Sequence, residues 1–229
     1  MYKKAMTIAR LSMRQLKNAY FITGIVMLAM LANYILAFAL NQSGNSTVSF
    51  ANMLIILPIL SAIFIPAQHT RKILNLGAKR IDVITGALPV YIIQSAAVTL
   101  LMLICHYTFD RWIIGRGISE ILDVLVVFGY MSQGPVVAFI RMFAFLLLLT
   151  FVLHTLTAAQ DKWYGWVADI VIVAIISVFT PIASLRVSLV WFFNLIIFHR
   201  SALLQVAVCL VLGCLIYMLN KPILARKVI

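Results

Sequence analysis

Acidic side chains are the scarcest chemistry in this chain: six of 229 residues are Asp or Glu, and Glu120 is the sole glutamate. A general acid–base pair or a carboxylate metal centre needs several such groups brought together, and none cluster along the sequence. Histidine is as thin. His69, His106, His154 and His199 fall on different segments, with no H-E-x-x-H spacing. Cys105, Cys209 and Cys214 all lie in apolar runs without a C-x-x-C pair, so neither a disulfide framework nor a zinc site is expected. They read as packing thiols. No G-x-x-x-x-G-K-[ST] run occurs, and Gly115-Arg116-Gly117 is only two glycines in a short loop, so no phosphate cradle is present. Together these absences predict no catalytic residues, no metal and no cofactor in the chain.

Apolar sequence is what the chain has in excess. Hydrophobic residues make up 64% and charged residues 10%, with a mean hydropathy of +1.09. Soluble domains are about half apolar and about a quarter charged, so the composition defines an all-α integral membrane protein. A span takes about 20 apolar residues, and six spans with short connections use up the length. A soluble nucleotide-binding domain has no room. The formal net charge of +12 does not argue for nucleic acid, because membrane proteins retain Lys and Arg on their cytoplasmic side. The polar start followed by no small-residue cleavage site predicts no cleavable signal.

Residues 1–19 read as a basic amphipathic helix. Tyr2, Met6, Ala9, Met13, Leu16 and Tyr20 form one stripe, and Lys3, Arg10, Arg14 and Lys17 another face. Spans are expected at residues 20–40, 50–67, 83–107, 136–158, 166–183 and 202–219. NQSGNST after the first is a polar loop containing a sequon at Asn45, a motif short enough to arise by chance. Pro66 is expected to end the second span. Residues 68–82 then form a short basic helix, 110–133 an interfacial helix, and 186–200 a re-entrant piece too short to cross upright. Counting cations sets orientation. Lys3, Lys4, Arg10, Arg14, Lys17, Arg71, Lys72, Lys79, Arg80, Lys162, Lys221, Arg226 and Lys227 fall on one side. Arg111, Arg116, Arg186 and Arg200 fall on the other. The bias places both termini and the basic helix in the cytoplasm.

Polar groups inside spans are costly and point to function. His154 and Asp169 each lie about one turn from the cytoplasmic end of their spans, and two readings stand. Either they pair as an inner gate, or Asp169 caps the start of the fifth span. Arg141 is expected to snorkel to the surface, and Asn33, Gln94 and Gln205 to bond between helices.

Leu76-Gly77-Ala78-Lys79-Arg80 with Gly86 beyond it resembles the leucine-glycine-x-[Ser/Thr/Lys]-arginine…glycine pattern of small six-helix bacterial ABC-2 (type V) exporter permeases. The elbow helix, the basic segment between spans two and three, and the re-entrant piece between spans five and six are similar to that family across the whole chain. The resemblance implies a permease dimer, homo- or heteromeric, seated on two ATP-binding subunits. ATP and Mg would lie on those partners and none in this chain. It implies a coupling helix carrying Arg71, Lys72, Ile73, Leu74, Leu76, Gly77, Lys79 and Arg80, with Ile73, Leu74 and Leu76 as anchors on the ATPase. Phe-, Met- and Leu-rich walls fit an amphipathic or hydrophobic cargo (peptide, drug or lipid-like), and the analogy extends to antimicrobial-peptide export. A reading from another class is an ATP-independent membrane scaffold or toxin-immunity protein.

Overall fold

The computed structural model of the chain describes residues 2–39, 46–114 and 120–225. Of the expected polar loop Asn41–Thr47, residues 41–45 lie outside the described residues and Ser46-Thr47 fall in a strand, while the loop Gly115-Arg116-Gly117, the tail residues Arg226 and Lys227 and the side chains of Lys3, Lys4 and Arg71 also lie outside.

Helix α1 (Tyr2–Gln15) and helix α2 (Lys17–Ala39) meet at Leu16. Its N–H is shared between the carbonyls of Ser12 (3.1 Å) and Met13 (3.4 Å), a bifurcation common at helix ends. After strand β1 (Ser46–Val48), helix α3 runs through Phe50–Asn75. Pro66 does not end it. The chain widens into a π turn over Ile65–His69, which absorbs the missing proline donor. The Ile65 carbonyl accepts both the Thr70 N–H, which closes the wide turn, and the Thr70 hydroxyl at 3.1 Å.

No separate helix occupies residues 68–82. Its first half is the last turn of α3, and its second half opens helix α4 (Arg80–Ile114). Four residues join them, and their identities explain the turn. Gly77 adopts φ +83°, with its N–H on Leu74 O (2.9 Å) and the Ala78 N–H on Ile73 O (3.3 Å). That is a Schellman closure, which a Cβ-bearing residue enters only with strain. Lys79 is extended ahead of α4, and Asp82 lies in the first helical turn, where a carboxylate complements the N-terminal dipole.

The expected interfacial helix over residues 110–133 is also replaced. Arg111–Ile114 completes α4. Strand β2 (Glu120–Leu122) then pairs in parallel with β1, Thr47 opposite Ile121 and Val48 opposite Leu122. A short helix, Val124–Val127, and a 3-10 turn, Tyr130–Gln133, follow. Asn52 stitches this connection down, donating to Leu122 O (2.7 Å) and accepting from the Val124 N–H (3.1 Å).

Helix α5 (Pro135–Ala159) is the hub. Its Leu147 and Phe151 enter one buried cluster with Leu16, Ala87 and Tyr91. Ala138, Met142 and Leu146 enter a second, with Met102 and Leu125. Ala144 and Leu148 meet Cys209 and Ile196 in a third. Helix α6 (Trp163–Phe179) begins so close to α5 that a Cβ on Gly165 would lie 2.3 Å from Ala159 O. It breaks at Thr180-Pro181-Ile182 and turns by 120° into helix α7 (Ala183–Phe198). Helices α8 (Ala202–Met218) and α9 (Asn220–Ala225) close the chain.

Among the described residues, five helices are long and apolar enough to cross a membrane, or six if the bent α6–α7 pair is one span. The contacts show where that pair leads. It starts beside Gln160, which donates to Asp169 (3.1 Å), and it ends beside Arg200, whose carbonyl accepts from Gln133 (2.9 Å). Those lie at opposite ends of α5, so the pair carries the chain from one end of the bundle to the other. Helices α1 and α9, the described segments nearest the termini, share an end. Ile8 packs with Ile73, Leu74 and Val83, and Asn220 donates to the Thr155 hydroxyl at 2.9 Å. The chain is an all-α membrane protein with one small parallel β pair at the end opposite its termini.

Candidate functional site

At the end bearing the termini, α1 packs on α4 and on the last turn of α3. Ile8 and Ala9 are buried with Leu16 and Ala19, while Arg10, Arg14 and Lys17 face outward. The helix therefore turns part of its apolar stripe to protein, although Met6 and Tyr20 stay exposed. Behind it, Ile73 and Leu74 are consumed in the same small core with Val83. They cannot also anchor a partner, which corrects the expectation of three apolar anchors. Leu76 alone projects, 74% exposed, with Lys72 and Lys79 exposed to either side. Between α1 and this turn lies a cleft of ≈ 400 Å³ walled by Thr7, Leu11, Ala78, Lys79 and Asp82. The turn thus presents one exposed leucine between two exposed lysines. Gly86 is buried on α4, next to buried Ala87.

His154 and Asp169 are directed to different partners. The Nδ1 of buried His154 meets the Tyr91 hydroxyl at 2.6 Å, and its ring packs against Tyr217 with centroids 5.4 Å apart. Tyr217 in turn donates to Ile84 O at 2.7 Å. The imidazole thus belongs to a polar lock joining α4, α5 and α8. Asp169 accepts from Gln160 instead. Nor does it cap α6: that position is Lys162, with no side-chain cap, and Asp169 lies well inside the helix. Tyr91, Tyr217, Thr155 and Asn220 complete the lock without any sequence signal beyond being polar in apolar runs.

At the opposite end, Arg141 is buried, 3% exposed, and does not snorkel. Its Nε donates to Gln205 Oε1, its Nη2 to His199 O at 2.7 Å, and its Nη1 reaches Gln133 Oε1 at 3.5 Å. The guanidinium also lies 4.4 Å from the Tyr130 ring centroid. Gln205 donates onward to the Tyr130 hydroxyl (2.6 Å) and to Ile196 O (3.0 Å), as expected of an interhelical amide. Burial pushes the Tyr130 phenol up, keeping it neutral as a partner for the cation. The reason for the correction is depth: α8 sets Gln205 level with Arg141, so the cation finds acceptors without reaching for water.

A second cluster lies near β1–β2. The π turn His106–Asp110 of α4 places His106 and Asp110 one turn apart, and Asp123 approaches from the start of the short helix Val124–Val127. His106 Nδ1 and Asp123 Oδ2 are 2.6 Å apart. These three side chains are the group among the described residues with metal-ligand proximity. The spacing H-x-x-x-D at the end of α4 is the one hint the sequence carried.

Two apolar grooves border α4. One, ≈ 350 Å³, is lined by Ile81, Leu88, Ile92, Phe151 and Met218. The other, ≈ 580 Å³, is lined by Leu100, Ile104, Tyr107, Val136 and Phe139. Compared with known protein families, curated proteins and solved structures, the chain matches none.

Proposed function

We propose that the chain is the membrane-spanning subunit of an ABC exporter of the ABC-2 type, a permease that hydrolyses nothing itself and is moved by a separate ATP-binding subunit. The observation that carries this reading is the Leu76–Lys79 turn. It is rigidly closed by Gly77, backed by α1, and presents one exposed leucine among cations at the end that holds both termini. A partner that pushes on such a turn moves α3 and α4 together, because the turn is the continuous end of both. In this reading α1 is the elbow, the termini are cytoplasmic as the cation bias requires, and α6–α7 form the fifth crossing with its re-entrant arm. Two copies of the partner, carrying ATP and Mg, would sit below a pair of permease chains. The grooves along α4 are almost wholly apolar, which suits an amphipathic or hydrophobic cargo entering from the side.

The test is co-purification. Tagged chain extracted in mild detergent from its native cell is expected to bring a Walker-motif ATPase, and Leu76→Glu to lose it while the chain still folds. Retention of the ATPase by Leu76→Glu, or its absence from the wild-type preparation, contradicts the proposal.

A further inference from the structure

We propose that His106, Asp110 and Asp123 bind one divalent first-row cation of the zinc class at the end of the bundle opposite the termini. One atom from each side chain lies within 4.8 Å of the others. Asp110 and Asp123 are 3% and 2% exposed, so two carboxylates are withdrawn from water, and among the described residues the imidazole of His106 is their ion-pair partner. Burying such charge is costly unless it is compensated. The carboxylates are only partly satisfied. Asp110 Oδ2 accepts from the Ser49 hydroxyl at 2.8 Å, but Asp110 Oδ1 is buried with no hydrogen-bond partner. An orphaned carboxylate oxygen in a buried cluster of donor atoms is what a cation would satisfy.

The surroundings hold the ligands in place. Asp123 Oδ1 accepts from the Leu125 N–H at 2.9 Å, and Asn52 braces residues 122 and 124 on either side of it. Ser49 orients Asp110, an outer partner of the kind that fixes a ligating carboxylate. His106, with 18% of its side chain exposed, is the route in. One imidazole nitrogen and two carboxylate oxygens, with no thiolate, leave a fourth position for water and suit zinc or its neighbours. Ligands about 2.1 Å from such a metal stand about 3.4 Å apart, so the atoms now furthest apart must draw in and the His106–Asp123 pair, now at 2.6 Å, must spread. The proton shared by His106 Nδ1 and Asp123 Oδ2 leaves to water as the cation takes its place. Bound there, the ion would clamp the end of α4 to the β2 connection, and through Ser49 to β1. This inference does not depend on an ATPase partner.

The experiment is a zinc titration of untagged, chelator-treated full chain in detergent, read by competition with a fluorescent zinc chelator and by thermal unfolding. Wild type is expected to bind one zinc per chain and to melt higher with it. Asp110→Asn, which keeps the shape and the Ser49 contact, is expected to bind more weakly by over about tenfold, a loss that even outer-shell changes reach. His199→Ala is expected to bind as wild type. If Asp110→Asn does not fold, His106→Gln, at the more exposed position, carries the same expectation. Wild type without stoichiometric zinc, or a folded ligand variant that binds and stabilises like wild type, overturns the proposal.

Discussion

The two ends of the bundle handle charge in opposite ways. At the end with the termini, Arg10, Arg14, Lys17, Lys72 and Lys79 face outward, and the exposed apolar side chain of the turn, Leu76, stands among them. At the other end Arg111 and Arg200 are exposed, but Arg141, Asp110 and Asp123 are turned inward and bonded to their neighbours. The first arrangement costs little to hold and is available to a partner or to anionic headgroups. The second uses charge to fasten one segment to another. Both ends are fastened, one through buried charge and the other through the Tyr91, His154 and Tyr217 contacts, and only the end with the termini also keeps its cations on the surface around an exposed leucine.

Substitutions can break this contrast. The largest loss is expected for Arg141→Ala, which removes the cation while leaving Gln205 Oε1 and His199 O without a donor. About 3 kcal/mol of stability should go, in the range seen when one partner of a buried charged network is deleted, measured by thermal or denaturant unfolding in detergent. Gly165→Ala comes next. Its new Cβ meets backbone at Ala159, which cannot yield as a side chain tip would, and the strain should cost about 2 kcal/mol and loosen α6 from α5. Tyr217→Phe removes one hydrogen bond, to Ile84 O, and should cost about 1 kcal/mol or less. Were Tyr217→Phe to cost more than Arg141→Ala, the stronger fastening would lie at the end with the termini and the contrast would be reversed.

Much of the scaffold was legible because apolar run length is a strong signal. The long helices lie where the runs are, and Pro181 marks the break between α6 and α7. What sequence order hid depends on contacts between distant segments. Pro66 reads as a stop, yet the helix continues past it through a π turn. Arg141 reads as a snorkelling cation, because nothing in the chain order sets Gln205 at its depth. Ile73 and Leu74 read as free anchors until α1 folds over them. His106, Asp110 and Asp123 are separated by a connection whose β pairing has almost no apolar signature. The Leu76-Gly77 turn was found for its letters. Its mechanism, a positive φ closing a helix, follows from the backbone.

The smallest effect on stability, under about 0.5 kcal/mol for an exposed position, is expected for Leu76→Glu, and there the functional consequence should be greatest. The direct measurement is the activity of the ATPase isolated with the wild-type chain and then recombined in lipid nanodiscs with an equal amount of wild type or of Leu76→Glu, the two chains having equal unfolding temperatures. Activity stimulated by the wild-type chain and lost with Leu76→Glu is the result this account requires; equal stimulation by both chains would contradict it.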